Sequence, residues 1–252
     1  MKRRPILASI LVVLLACIGM PAQAEGLVIE TVPVDAPVNA ADPATGYGAV
    51  RDAFRIAKSE VTLDQYVAFL NAVAQTPANE VIAGLWQAEL ASEKEDPGPL
   101  ILRSGAGTRA EPYLYVLAPS DKWGARAGIR PMPWVTWFDA ARFANWMHNG
   151  GVRGADTETG AYTLVNYQVE GEVSRNAGAR WWIPSEDEWY KAAYFDPAKP
   201  GGAGYWTYPT RSDKPPRDQM VPDAHKDPKL RPLAPAANFN EVYKPLRRNS
   251  PP

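Results

Sequence analysis

The segment from Arg180 to Tyr194 restricts the possible fold more than any other part of the chain. Its apolar start, up to Pro184, predicts a strand that the proline ends. Ser185 and Glu188 then have the spacing of a capping box, in which each side chain accepts a hydrogen bond from the other residue's backbone N–H. Acidic residues fill the first turn, where the helix dipole favours negative charge. The segment therefore predicts a strand, a proline stop and a helix that begins after Ser185.

Two further helices are predicted by the same signals. Thr62 and Gln65 open the first, and Thr136 and Asp139 open the second, with apolar residues following each pair at helical spacing. Apolar and polar residues alternate from Phe54 onward, which predicts a strand just before the first of these helices. The chain is therefore expected to mix helices with short strands.

Residues 1–24 have the pattern of a signal peptide. Three basic residues precede an apolar run, and small residues at positions 22 and 24 match a signal-peptidase site. The run is shorter than the roughly 20 residues of a membrane-spanning helix, so no transmembrane span is expected after signal removal. The mature chain is expected to be secreted or periplasmic. A lipoprotein attached through Cys17 is the less favoured alternative.

The charge and cysteine content exclude several classes of function. Without the signal, 24 of the 27 Lys and Arg residues remain against 28 acidic residues, and they are scattered along the chain. This distribution excludes nucleic acid as the main partner. Cys17 is the only cysteine, so a mature chain starting at Glu25 would contain no disulfide and no thiolate ligand or nucleophile.

Three motifs of this chain resemble the formylglycine-generating enzyme (sulfatase-modifying factor) family. They are F-R-I-A-K-S-E-V-T-L-D-Q-Y from Phe54, V-x-W-x-D-A-x-x-F-x-x-W from Val135, and I-P-S-E-D-E-W-Y-K-A-A from Ile183. They occur in the family's order, and the resemblance extends from about Phe54 to Asn240. It implies an α+β, C-type-lectin-like fold, irregular and with few short strands, of which the C-terminal part is missing.

This resemblance and the composition together predict four regions. Residues 1–24 are the signal peptide, and residues 25–49, rich in Pro, Ala and Val, form an extended lead-in. Residues 50–210 form the sulfatase-modifying-factor-like domain. Residues 211–252 form a proline-rich, weakly ordered tail, because their apolar residues occur singly and bury little surface.

The resemblance also implies what this chain cannot do by itself. Active members of the family bind copper with a late pair of cysteines, which this sequence lacks, so copper is not expected and the exported chain is predicted to be non-catalytic. Asn238 and Phe239 match the start of a family calcium site. Calcium needs 6 to 8 oxygen ligands, so these two residues are at most a partial site and no cofactor is expected.

Two alternatives stay open. The chain could be the N-terminal half of a split or truncated formylglycine-generating oxidase, with a second protein supplying the C-terminal half. It could instead be a glycan- or protein-binding module. Four of the nine tryptophans match family core positions, namely Trp137, Trp146, Trp181 and Trp189. The aromatic side chains left for a ligand surface are Trp86, Trp123 and Trp206.

Overall fold

The computed structural model describes residues 26–91, 101–119, 124–164 and 173–216. These residues form helices and short strands joined by long irregular connections. Single 3-10 turns occur at Ala88–Ala91 and Gly124–Arg126. The other elements, in chain order, are β1 (Thr31–Val34), β2 (Phe54–Ala57), α1 (Leu63–Val73), α2 (Glu80–Ala83), β3 (Ile101–Ser104), β4 (Leu114–Leu117), α3 (Trp137–His148), α4 (Glu186–Tyr194), β5 (Phe195–Asp196) and β6 (Gly204–Tyr205).

The described strands form three separate antiparallel pairs. β1 pairs with β2, β3 with β4, and β5 with β6. No strand in the described ranges belongs to a larger sheet. The predicted mixture of helices with few short strands is therefore confirmed. None of the described helices has the length and apolar character needed to cross a membrane.

All three predicted capping boxes are confirmed. At α1, the Gln65 N–H donates to the Thr62 hydroxyl and the Thr62 N–H donates to the Gln65 side chain at 2.9 Å. The same exchange occurs at α3 and at α4. Each box satisfies two of the N–H groups that the first turn of a helix leaves without an intrahelical acceptor. The starts of these three helices are therefore specified by local sequence.

We expect Ser185→Ala to lower the free energy of unfolding by about 1 kcal/mol, the usual contribution of a serine N-cap. The Ser185 hydroxyl accepts the Glu188 N–H at 3.2 Å, and alanine removes that acceptor. Urea unfolding followed by circular dichroism measures the change. The matched control is Ser174→Ala, at an exposed serine outside the helices, where little change is expected. Equal losses in both variants would contradict the capping role.

The core lies where α1 packs against α3. The Phe69 ring is in contact with Tyr66, Phe143 and Trp146, at centroid distances of 5.5, 5.3 and 5.3 Å. Tyr115 of β4 belongs to the same buried cluster. The small residues of α3 face a second cluster built around Ala161, Tyr162 and Leu164. α3 therefore lies between two apolar clusters, and all its residues from 141 to 147 are buried.

The prediction of a strand before Pro184 is wrong. Residues 180–183 have irregular backbone, since no described strand lies alongside to accept their backbone hydrogen bonds. A side chain replaces that partner strand, because the Ile183 N–H donates to the Tyr162 hydroxyl at 2.9 Å. An apolar run therefore crosses the domain here without forming a sheet.

The predicted lead-in, residues 25–49, packs against the rest of the domain from residue 26 onward. It contains β1, and the buried Lys191 ammonium of α4 donates to the Ala36 carbonyl at 2.8 Å. The Gly48 N–H donates to the Asp187 carboxylate at 2.8 Å. This position requires glycine, because its φ is +91° and the Tyr205 ring lies too close for a Cβ atom. Packing therefore continues across residue 50, where the sequence predicted a boundary.

At the other end, the described chain stays attached to the domain for a short distance beyond residue 210. Arg211 pairs with Asp196 at 2.6 Å, and the Thr207 N–H donates to Asp213 at 3.0 Å. Residues 217–252, which form most of the predicted tail, lie outside the described residues.

Candidate functional site

A cavity of about 950 Å³ opens on one side of the core. It is called the groove below. β2 and the residues that follow it line one wall, and residues 180–184 together with α4 line another. α3 supplies Phe143, Ala144 and Met147, which are buried and form the floor. The groove lies between elements that are far apart in sequence, so only their packing creates it.

The rim of the groove exposes large apolar side chains. Trp189 of α4 is 53% exposed and Val135, just before α3, is 39% exposed. Trp134 is 54% exposed and does not line the groove. Its φ of +64° lies in the left-handed region, which is strained for a tryptophan. Contiguous exposed apolar surface marks interaction sites, and Trp189 and Val135 both border the groove.

β2 borders the groove with its backbone. Residues 54–61 line the groove without interruption, although the side chains of a strand alternate between two faces. The Lys58 N–H donates to the Glu30 carbonyl at 3.0 Å, and hydrogen-bonded pairs alternate along an antiparallel ladder. The N–H and C=O groups of Arg55 and Ala57 therefore point away from β1. No described strand pairs with this edge of β2.

The charged residues at the groove are engaged at its edges. Arg55 donates to the Thr31 hydroxyl at 2.8 Å, and Lys58 pairs with Glu30 at 2.8 Å. The Arg180 guanidinium donates to the His148 carbonyl, and the Arg180 backbone N–H donates to the His148 imidazole at 3.0 Å. The arrangement can bury an apolar ligand and hydrogen-bond to it through the β2 backbone.

Glu188 holds the wall of the groove in place. Its carboxylate accepts the Trp182 indole N–H at 3.0 Å, the Ser185 N–H at 2.8 Å and an Arg175 guanidinium N–H at 2.8 Å. Burial raises the pKa of Glu188, but these hydrogen bonds and the Arg175 charge outweigh it and hold the pKa below its ordinary value of 4.5. Glu188 is therefore ionised at neutral pH and positions the Trp182 ring.

The depressed pKa of Glu188 predicts acid sensitivity. Its carboxylate stabilises the folded chain fully above the ordinary pKa of 4.5, and this stability is lost as the pH falls through the lower folded-state pKa. In Glu188→Gln, stability should be lower at neutral pH and its fall over this acid range should be shallower. Urea unfolding at several pH values measures both effects. Glu186→Gln, at an exposed carboxylate of the same turn, is the matched control and should lose less stability than Glu188→Gln at neutral pH; an unchanged profile in Glu188→Gln would contradict the assignment.

Tyr190 of α4 does not line the groove and instead anchors the lead-in. The Tyr190 hydroxyl donates to the Asp42 carboxylate at 2.7 Å, and its ring lies 5.6 Å from that of Tyr205. Burial, together with the neighbouring Asp42 carboxylate, raises the pKa of Tyr190 to about 12. Tyr190 is therefore a neutral donor, and this cluster has a structural role.

The described tryptophans that sequence reasoning assigned to a ligand surface both have partners within the protein. The Trp86 indole N–H donates to the Ile101 carbonyl at 2.8 Å, and the Arg103 guanidinium lies 3.9 Å from its ring centroid. Trp206 donates to Asp196 at 3.1 Å, and the Lys199 ammonium lies 4.6 Å from its ring. Neither lines the groove. Trp123, Asn238 and Phe239 lie outside the described residues.

Among the tryptophans assigned to the core, Trp146 is buried, and Trp137 and Trp181 pack against the two clusters. The assignment of Trp189 is wrong, since its side chain is half exposed at the groove rim. The buried side of α4 instead carries Glu188 and Lys191, whose charged groups have partners within the protein. Sequence periodicity could not reveal this reversal, because it counts charged residues as exposed and tryptophan as buried.

No cluster of three or more potential metal ligands exists among the side chains of the described ranges. The predicted partial calcium site lies outside these ranges, so it stays a prediction.

Comparison with known proteins gives one family match. Residues 37–248 match the sulfatase-modifying factor enzyme 1-like domain. No curated protein and no solved structure matches the chain. The matched region contains the three capped helices, all the groove-lining residues from Phe54 to Pro209, and the segment that extends beyond them to residue 248. Since the match covers most of the 252 residues, the chain belongs to the sulfatase-modifying factor enzyme 1-like family.

Proposed function

We propose that this chain is an exported, non-catalytic member of its family that binds extended polypeptide segments in the groove. Its fold in this proposal is C-type-lectin-like, as the family resemblance implies. The observation that carries the proposal is an apolar groove bordered by an edge of β2 with which no described strand pairs. A polypeptide is the ligand whose chemistry matches both features.

The edge of β2 favours a polypeptide over a glycan. The N–H and C=O groups of Arg55 and Ala57 are directed away from β1, and a bound peptide could pair with them as an added strand. Its alternate side chains would enter the groove over Phe143 and Met147. A glycan would use stacked aromatic faces and side-chain hydrogen bonds, and it would leave the backbone edge unused.

The composition supports the absence of thiol chemistry. The only cysteine is Cys17, inside the predicted signal peptide, and soft thiolates are the ligands that select Cu(I). Incubating the purified chain with a cysteine-containing peptide and Cu(I) should leave the peptide mass unchanged. A mass change that corresponds to conversion of the cysteine would contradict the non-catalytic assignment. Calcium addition is expected to leave the melting temperature unchanged.

Peptide binding is tested with fluorescein-labelled, proline-free nonapeptides that carry Phe, Val or Tyr at every second position. Fluorescence anisotropy should show saturable binding. Trp189→Ala should weaken it by about fivefold or more, because a bound peptide would cover the exposed Trp189 ring and truncating an aromatic contact residue costs about 1 kcal/mol or more. Trp134→Ala is the matched control, since Trp134 is equally exposed and does not line the groove.

Three outcomes would contradict this proposal. The labelled peptides fail to bind, the two tryptophan variants lose equal affinity, or a panel of oligosaccharides changes the tryptophan fluorescence while the peptides do not. The last outcome would favour the glycan-binding alternative. Stable capture of a protein that resembles the C-terminal part of the family domain would favour the split-oxidase alternative.

A further inference from the structure

The groove selects for a particular kind of polypeptide segment. A strand added to β2 must present backbone N–H and C=O groups to Arg55 and Ala57, which lie two residues apart. A proline facing this edge cannot donate such a hydrogen bond. The segment also needs β-branched or aromatic side chains, because these residues favour strands and fill an apolar groove. Several proline-free residues in succession are therefore required.

C-terminal to the described residues, the chain contains one segment of this kind. From residue 217 onward, prolines at 222, 228, 232, 235 and 245 interrupt the sequence. The longest proline-free run is Ala236–Lys244, called the tail segment below. It contains Phe239, Val242 and Tyr243, and all three residue types favour strands. The other proline-free runs before residue 250 are shorter.

The tail segment can reach the groove. Pro209 lines the groove, and the described chain ends at Pro216. The residues from 217 to 235, which connect Pro216 to the tail segment, can span on the order of 60 Å when extended. The family match extends to residue 248, so the tail segment is part of the matched domain.

We infer that the tail segment adds, as a third strand, to the edge of β2 that no described strand pairs with, and occupies the groove of its own chain. The inference rests on the proposed peptide-binding function of the groove and adds its regulation. The tail segment competes with polypeptides from other molecules, so an external peptide binds only when it displaces the tail. The affinity for external peptides therefore depends on the sequence of the tail segment.

Amide hydrogen exchange of the full chain, resolved by residue with NMR, tests the added strand. The amides of Arg55 and Ala57 should be protected in the wild-type chain. In an added strand, alternate N–H groups face β2, so one of two adjacent residues must donate. Asn240→Pro and Glu241→Pro are therefore both needed, and at least one should increase exchange at these two amides by about tenfold or more.

The matched control is Ala224→Pro, which adds a proline to the same tail outside the tail segment. It should leave the exchange rates of Arg55 and Ala57 unchanged. Adding a synthetic peptide with the sequence of residues 236–244 to the sensitive proline variant should restore protection. The inference is overturned if the two amides exchange equally fast in all four chains. It is also overturned if their protection increases with protein concentration, because the added strand would then come from a second copy.

The labelled nonapeptides distinguish failure of this inference from failure of the proposed function. If they bind the wild-type chain and both tail variants with the same affinity, the groove binds peptides but the tail does not compete, and the inference fails alone. If they bind no variant while the tail prolines still increase amide exchange, the tail occupies the groove and the proposed function fails. Tighter binding to the sensitive proline variant than to the wild type supports both.

Discussion

Replacing Asn145 with leucine is expected to lower the free energy of unfolding by at least about 3 kcal/mol, because three buried backbone groups lose their partner and each such loss costs about 1–3 kcal/mol. The Asn145 side chain is fully buried. It donates to the Thr157 carbonyl at 2.8 Å and to the Tyr162 carbonyl at 3.1 Å, and it accepts the Tyr162 N–H at 2.7 Å. One amide thus attaches the connection after α3 to the helix itself.

Asn149→Leu is the matched control for this prediction. Asn149 lies one turn later and donates to the Asp156 and Thr159 carbonyls, at 2.9 and 2.8 Å. Both hydrogen bonds are exposed, so water can replace the amide and the cost should be about 1 kcal/mol, near the net value of one hydrogen bond. Urea unfolding of the two variants measures the difference. Equal losses would show that burial does not set the cost at Asn145.

Phe69→Ala is the second variant with a large expected effect, a loss of about 3–5 kcal/mol in the free energy of unfolding. Phe69 is fully buried between α1 and α3, and its ring is in contact with three other aromatic rings. Alanine would remove this apolar contact and leave a cavity that rigid neighbours such as Trp146 cannot fill. Chemical denaturation measures the loss.

Leu114→Ala is the control for the loss of a large apolar side chain. Leu114 is 51% exposed on β4, and substitutions at such surface positions usually change stability by less than about 0.5 kcal/mol. If Phe69→Ala costs no more than Leu114→Ala, the packing of α1 on α3 does not form the stabilising core.

The helix starts are the part of the fold that local sequence predicts well. Thr62, Thr136 and Ser185 each cap a helix with the residue three positions later. Both partners of a capping box lie within one turn, so no distant residue is needed to form it. The family motifs can be recognised in the sequence for the same reason, because they include these capped turns.

The position of Trp189 shows where this local reasoning fails. The family resemblance predicts that Trp189 is buried, whereas in the structure Trp189 is half exposed and its neighbours Glu188 and Lys191 are buried. Partners from elsewhere in the chain cause the reversal, because Arg175 pairs with Glu188 and the Ala36 carbonyl accepts from Lys191. A buried charge is tolerated only where such partners exist, and sequence spacing alone does not identify them.

By itself the sequence determined the family, the mixture of helices and short strands, and the starts of three helices, because these depend on hydrogen bonds and side-chain patterns within a few residues. Only the tertiary structure decided that residues 180–183 form no strand, that Trp189 is exposed, and that an apolar groove lies beside β2, whose second edge no described strand pairs with. Each of these depends on contacts between elements tens of residues apart or more, whose packing a single sequence does not specify.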